Sequence, residues 1–231
     1  MLILACDTSN ATCCAGVYDN GKELAYEISF ETRTHSETFM PLVMRVLKQA
    51  GKELADLDAM AVVVGPGSFT GVRIGISAIK GIAAVLDIPC IPVSSTEALA
   101  GSAEHEENNP EDTIMIPCFD ARNSRVFASV RRGDTLELLA EENAYASKDL
   151  AFIVSKLAGV KDKKIIVLGN GAEVMREALV AADVKAQYAA GAVITPRGVA
   201  AAALRCKKTI SGAELKAAYC AVSSAERLRK V

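Results

Sequence analysis

Apolar positions near the N-terminus run unbroken and then give way to hairpin spacing. LILACD reads as a buried-type strand, and TCCAGVYDNGKELAYEISF as two further strands joined at Asn20-Gly21, a dipeptide suited to a two-residue hairpin turn. The period then lengthens. Residues 36–50 predict a helix, AMAVVV a strand, a glycine-rich turn follows, a second helix runs to about Leu86, and CIPV forms a short strand. The result is a β-β-β-α-β-α unit.

The pattern returns in the middle of the chain. CFDARNSRVFASVRRGD repeats the layout of CDTSNATCCAGVYDNG, with Asp7, Asn10, Ala15 and Val17 matched by Asp120, Asn123, Ala128 and Val130. After a helix around Lys148 to Leu157, IVLGNG at 166–171 repeats VVVGPG at 62–67. Landmarks recurring in the same order predict a duplicated domain, with residues 1–103 as the first copy and 104–231 as a shorter second copy whose final helix packs back on the first. Between them GSAEHEENNPED, which includes His105, reads as a polar surface linker. Two tandem β-β-β-α-β-α domains resemble the actin, Hsp70 and sugar-kinase superfamily, an RNase H-like α/β fold whose members bind ATP between the copies.

Composition narrows the class. At 51% hydrophobic the 231-residue chain builds a real core. No apolar run reaches about 18 residues and the first apolar segment has no basic flank, so neither an anchor nor a signal peptide is expected, and the expected location is cytoplasmic. Seven cysteines without a C-x-x-C pair suit reduced core positions better than a disulfide or zinc framework. The net charge of -2 offers no basic field for a nucleic-acid backbone, so a role on RNA requires a partner that supplies one.

VVVGPGSFTGVRIGIS raises the question of phosphate binding, since a glycine-rich turn before a helix gathers unpaired amides. A P-loop needs Lys and Ser or Thr after its last glycine, where this chain has Val72 and Arg73; the dinucleotide fingerprint needs glycine where Thr70 stands. Both templates fail. The superfamily resemblance instead assigns phosphates to the turns Asp7-Thr8-Ser9-Asn10 and Asp120-Ala121-Arg122-Asn123. Asp7, Thr8, Ser9 and Asp120 are therefore candidates for vestigial phosphate loops, Thr8 and Ser9 offering hydroxyls and the aspartates hard oxygen for magnesium. Asp and Asn at strand ends are equally ordinary turn formers.

ACDTSNATCCAGV, THSETFMPLV, VVVGPGSFTGVRIGISAIKGIA, IPVSSTEALA and CFDARNSRVFAS together resemble the TsaB (YeaZ) family, bacterial proteins needed to make threonylcarbamoyladenosine in tRNA. The likeness covers roughly the N-terminal half, and GPGSFTGVRIG is its most specific element. It implies a non-catalytic subunit that binds and activates the TsaD transferase together with the ATPase TsaE, pairs with itself when TsaD is absent, and meets tRNA only through the complex. TsaD carries a His-x-x-x-His metal pair, and the matching positions here are Ser95 and Leu99, so neither a metal nor a cofactor of its own is implied, with ATP and magnesium a weak possibility. His35 reads as a helix-start residue beside Thr34 and Glu37. No nucleophile and base are readable for the family's older "glycoprotease" label. In the closing AAYCAVSSAERLRK, Cys220 and Ala221 stand where a Leu-Arg pair is usual.

The helix after the glycine turn has one narrow polar stripe, Arg73, Ser77 and Lys80, and is otherwise apolar or glycine. A helix so poor in polar positions buries two sides, one on its sheet and another on a partner. The preceding helix is similar. The partner surface is accordingly expected at Phe39, Val43, Val46, Val72, Ile76, Ile79 and Ala83. The competing reading is an autonomous ATP-dependent phosphotransferase using Asp7 and Asp120.

Overall fold

The structure, a computed structural model, describes residues 1–30, 35–103, 110–157, 159–206 and 208–218. His105, Cys220 and Ala221 and the closing segment around them lie outside the described residues. The chain divides into two units, Met1–Asn108 with Ala192–Ala217 and Asn109–Gly191 with Ala218–Val231. Residues 192–217, expected in the second copy, group with the first.

In the first unit β1 (Leu2–Asp7), β2 (Cys13–Asp19) and β3 (Lys22–Ser29) form an antiparallel meander. Asn20 and Gly21 turn its second hairpin at φ of 48° and 81°, the left-handed geometry that the dipeptide predicts. The chain then makes α1 (His35–Gln49), β4 (Ala59–Gly65), α2 (Phe69–Leu86), β5 (Cys90–Ser94) and α3 (Ser95–Ala103). β4 joins β1 and β5 joins β4, both parallel, giving the order β3-β2-β1-β4-β5.

The second unit repeats this connectivity. β6 (Thr113–Asp120), β7 (Arg125–Arg132) and β8 (Leu138–Ala146) form the meander; α4 (Ser147–Ser155), β9 (Lys164–Leu168), α5 (Ala172–Ala181) and β10 (Gln187–Ala189) follow, in the order β10-β9-β6-β7-β8. Two mixed sheets of identical topology are the duplicated actin-like α/β fold. α6 (Pro196–Arg205) belongs to the first unit and packs with α3 on one face of its sheet.

Each core lies between its sheet and its two crossover helices. Leu2, Leu4 and Cys6, alternate residues of β1, and Met60 of β4 beside them share one core with Leu42 and Leu47 of α1 and with every one of the seven residues expected at a partner surface. Leu150, Val154, Met175 and Leu179 serve the same purpose in the second unit. α2 is 18 residues long with a mean hydropathy of 1.5, so by length and composition it meets the minimum for a membrane span, contrary to the expectation from apolar runs. It carries Arg73 and Lys80, however, and buries Val72, Ile76, Ile79 and Ala83 against its own sheet as a core helix does.

Candidate functional site

The first hairpin turn is built into the root of α2. Thr8 and Ser9 are fully buried. The Thr8 hydroxyl donates to the Gly71 carbonyl at 2.7 Å and accepts from the Gly75 amide at 3.1 Å. The Ser68 amide donates to the Ser9 carbonyl at 2.7 Å, and the Ser9 hydroxyl accepts from the Asn10 side chain at 2.8 Å. Ser68 also caps α2, accepting from the Gly71 amide at 3.2 Å. A Cβ on Gly67 would strike the Ser9 carbonyl, and one on Gly71 the Thr8 carbonyl, so glycine is required where the helix root lies on the turn. Of the two hydroxyls expected to face phosphate, that of Thr8 holds the helix and that of Ser9 accepts within the turn.

Asp7 ends β1 with no exposure. Its Oδ1 accepts from the Ser9 amide at 2.7 Å, while Oδ2 has no hydrogen-bond partner among the described residues. Burial pushes its carboxyl up to about 6, opposed by the Ser9 hydroxyl and amide and by the charge of His35. His35 opens α1, as expected, and its Nε2 lies 2.7 Å from the Asn10 carbonyl.

Asp120 is not the structural counterpart of Asp7. Cys6 faces Ala15 across the first hairpin and Cys118 faces Ala128 across the second, one residue further apart in sequence, so the register position of Asp7 falls to Phe119. That step puts the exposed Asp120 on the opposite face of its strand from Asp7. Its Oδ1 accepts from the Arg122 amide at 2.7 Å, closing a turn in which Arg122, Asn123 and Ser124 all have positive φ. Both carboxylates are therefore engaged locally. Ser95 and Leu99, at the positions of the histidine pair, are buried on α3, and the Ser95 hydroxyl donates to the Pro66 carbonyl. Among the described residues no three His, Cys, Asp or Glu side chains cluster as metal ligands. Cys6, Cys13, Cys14, Cys90 and Cys118 are buried free thiols; burial pushes Cys13 up to about 12, far from thiolate chemistry.

The expected partner surface requires correction. Phe39, Val43, Val46, Val72, Ile76, Ile79 and Ala83 are all buried in the core of the first unit, because the most regular apolar stripe of each helix faces the sheet. What the helices present outward is the second stripe: Met44, 51% exposed, beside the partly buried Met40 on α1, and Val85, 81% exposed, with the partly buried Ile74, Ala78 and Ile82 on α2. Phe69, 47% exposed, lies on the polar side of α2, where the Arg73 guanidinium stacks 3.4 Å from its ring centroid. Further along α2 the Lys80 ammonium donates to the carbonyls of Ala213 and Leu215, which cover that flank of the helix. Helix phase relative to the core could have separated the two stripes; counting apolar residues could not.

Residues 29–230 match the family model described as TsaD, tRNA N6-adenosine threonylcarbamoyltransferase. The tRNA threonylcarbamoyladenosine biosynthesis protein TsaB of Bacillus subtilis is 33% identical over 173 residues, 74% of this chain and 71% of that one. That of Escherichia coli is 36% identical over 129 residues, 55% of this chain and 53% of that one, so there the match spans about half of the relative. Among solved structures, a Pseudomonas aeruginosa protein described as similar to peptidase YeaZ superposes with a TM-score of 0.81 at 23% identity, covering 95% of this chain and 99% of that one. YeaZ of the same organism follows at 0.77 and 24%, covering 94% and 99%. The structures share the fold, and the sequence matches fix the lineage: the chain belongs to the TsaB (YeaZ) family.

Proposed function

We propose that this chain is a non-catalytic subunit for making threonylcarbamoyladenosine in tRNA: it binds TsaD and holds it in a productive state, with the ATPase TsaE as third member, while TsaD transfers the threonylcarbamoyl group from its adenylate to a tRNA adenosine. Family membership supports the pathway. The observation that carries the docking role is the exposed apolar stripe of α1 and α2, centred on Met44 and Val85, on helices whose inner stripes already fill the core. Apolar side chains exposed in a patch are characteristic of a protein interface. The same face serves self-pairing when TsaD is absent, tRNA is reached through the complex, and the protein works in the cytoplasm. The turns at Asp7-Thr8-Ser9 and Asp120 are vestigial phosphate loops, the first given over to positioning α2.

Light scattering on a mixture of the purified chain and purified TsaD tests this reading. The parent chain should give a heterodimer, and Met44→Glu with Val85→Glu should leave two separate species at unchanged melting temperature. A charged double variant that still pairs would remove the docking face from consideration.

A further inference from the structure

The second unit carries a feature that the docking role leaves unused. An open groove of about 1440 Å³ runs between α4 and α5. Lys148 and Phe152 on α4 and Lys156 at its C-cap recur every four residues, which aligns them on one face, and all three are exposed. Phe152 is 62% exposed, with the Lys156 ammonium 5.3 Å from its ring centroid. On α5, Glu173 and Glu177 are one turn apart and exposed, beside the smaller Val174 and Ala178. Glu173 pairs with Arg176 along its own helix, but no ion pair engages Lys148, Lys156 or Glu177 among the described residues.

Asp149 also lines the groove from α4, and Asp120 and Arg122 line it from the hairpin turn, so one wall is aromatic and, with two lysines to one aspartate, net basic, and the other acidic over small apolar residues. A polyanion placed here would meet the glutamates, and a purely basic partner would meet the lysines. A surface with both signs side by side complements itself: a twofold axis along the groove lays α4 of one copy on α5 of the other, lysines opposite glutamates, with Phe152 over the partner's small residues. We propose that the α4–α5 face of the second unit pairs with the same face of a second copy of this chain. Helices of 9 and 10 residues span only about 15 Å, so the contact belongs with small, weak interfaces and forms at high concentration. It is separate from the α1–α2 face and does not depend on the role assigned there.

Sedimentation equilibrium tests this in a Met44→Glu, Val85→Glu background, which silences the other face, from about 10 µM to about 500 µM where weak pairs populate. The background protein should dimerise. Lys148→Glu with Lys156→Glu, and separately Glu173→Lys with Glu177→Lys, should each be monomeric, because the opposition of lysines and glutamates across the axis is then lost. Mixed in equal amounts the two should pair again, the predominantly acidic face on the predominantly basic one. Phe152→Ser, which leaves the charges alone, should weaken pairing about tenfold, the scale of one exposed aromatic anchor. Circular dichroism confirms that each variant is folded. A monomeric background protein, variants that still dimerise, or folded variants that fail to pair when mixed would overturn the proposal. So would a monomer whose groove instead retards tRNA in a gel until the lysines are replaced.

Discussion

The Thr8 hydroxyl donates to the Gly71 carbonyl at 2.7 Å, fastening the first hairpin turn of the chain to the root of α2. The same oxygen accepts from Gly75, so one buried side chain satisfies two backbone groups of α2. Thr8→Val keeps the shape and removes both bonds. It should cost about 1–3 kcal/mol, the scale for stranding buried polar groups, whereas Thr8→Ser should retain most of the stability. Urea unfolding midpoints measure both; a valine variant as stable as the parent would show that the bonds carry no net stabilisation.

Gly75→Ala sets two effects against each other. Alanine is favoured in a helix by about 1 kcal/mol, but its Cβ would lie 2.5 Å from the Thr8 hydroxyl oxygen. The neighbour is held by two hydrogen bonds, so the clash should win and the variant should melt lower. In the presence of Thr8→Ala the same change should become neutral or stabilising, and the double-mutant cycle reads that coupling directly. Additive effects would mean that the helix simply moves away from the turn.

Asp7 predicts a pH dependence. Burial raises its folded-state value from 3.8 to about 6, so the native state holds this proton more tightly than the unfolded chain. The stabilisation is fully present below about pH 3.8 and is lost as pH rises through about 6, a change of about 3 kcal/mol on the scale of 1.36 kcal/mol per unit. Asp7→Asn should flatten that part of the stability profile. Denaturant unfolding at several pH values measures the slope, and an unchanged profile in the variant would assign it to other groups.

The inner and outer stripes of α2 should respond oppositely to charge. Ile79→Glu places a carboxylate in the core, and should unfold the first unit or lower its stability by several kcal/mol. Val85→Glu lies on the exposed face and should leave the melting temperature within a degree or two while weakening pairing with TsaD. Thermal melts and complex formation, measured on the same samples, separate the two. A stable, monomeric Ile79→Glu protein would restore the inner stripe as the interface.

Much of the fold was legible because periodicity, the Asn20-Gly21 turn and the repeated strand-glycine landmarks are local signals. β8 follows only from the repeat of the β-β-β-α-β-α unit, β10 has no pattern of its own, and α6 groups with the first unit through contacts that no local pattern encodes. The candidate site was legible in its elements rather than its side chains. Two apolar stripes on α2 were visible, but which one met the sheet depended on the phase of the helix, and the inner residues were taken for the outer. Asp7 and Asp120 matched by sequence because one offset serves β2 and β7, whereas the one-residue difference between the hairpins shifts β6 against β1.

The most direct measurement of the central claim is threonylcarbamoyladenosine formed in tRNA by purified TsaD, TsaE and threonylcarbamoyl adenylate, quantified by mass spectrometry of the digested nucleosides. Adding this chain should raise formation from background, Met44→Glu with Val85→Glu should not, and an Asp7→Asn variant that still pairs should. Product formed equally well without the chain, or restored in full by the face-disrupted variant, would contradict its role as the docking subunit.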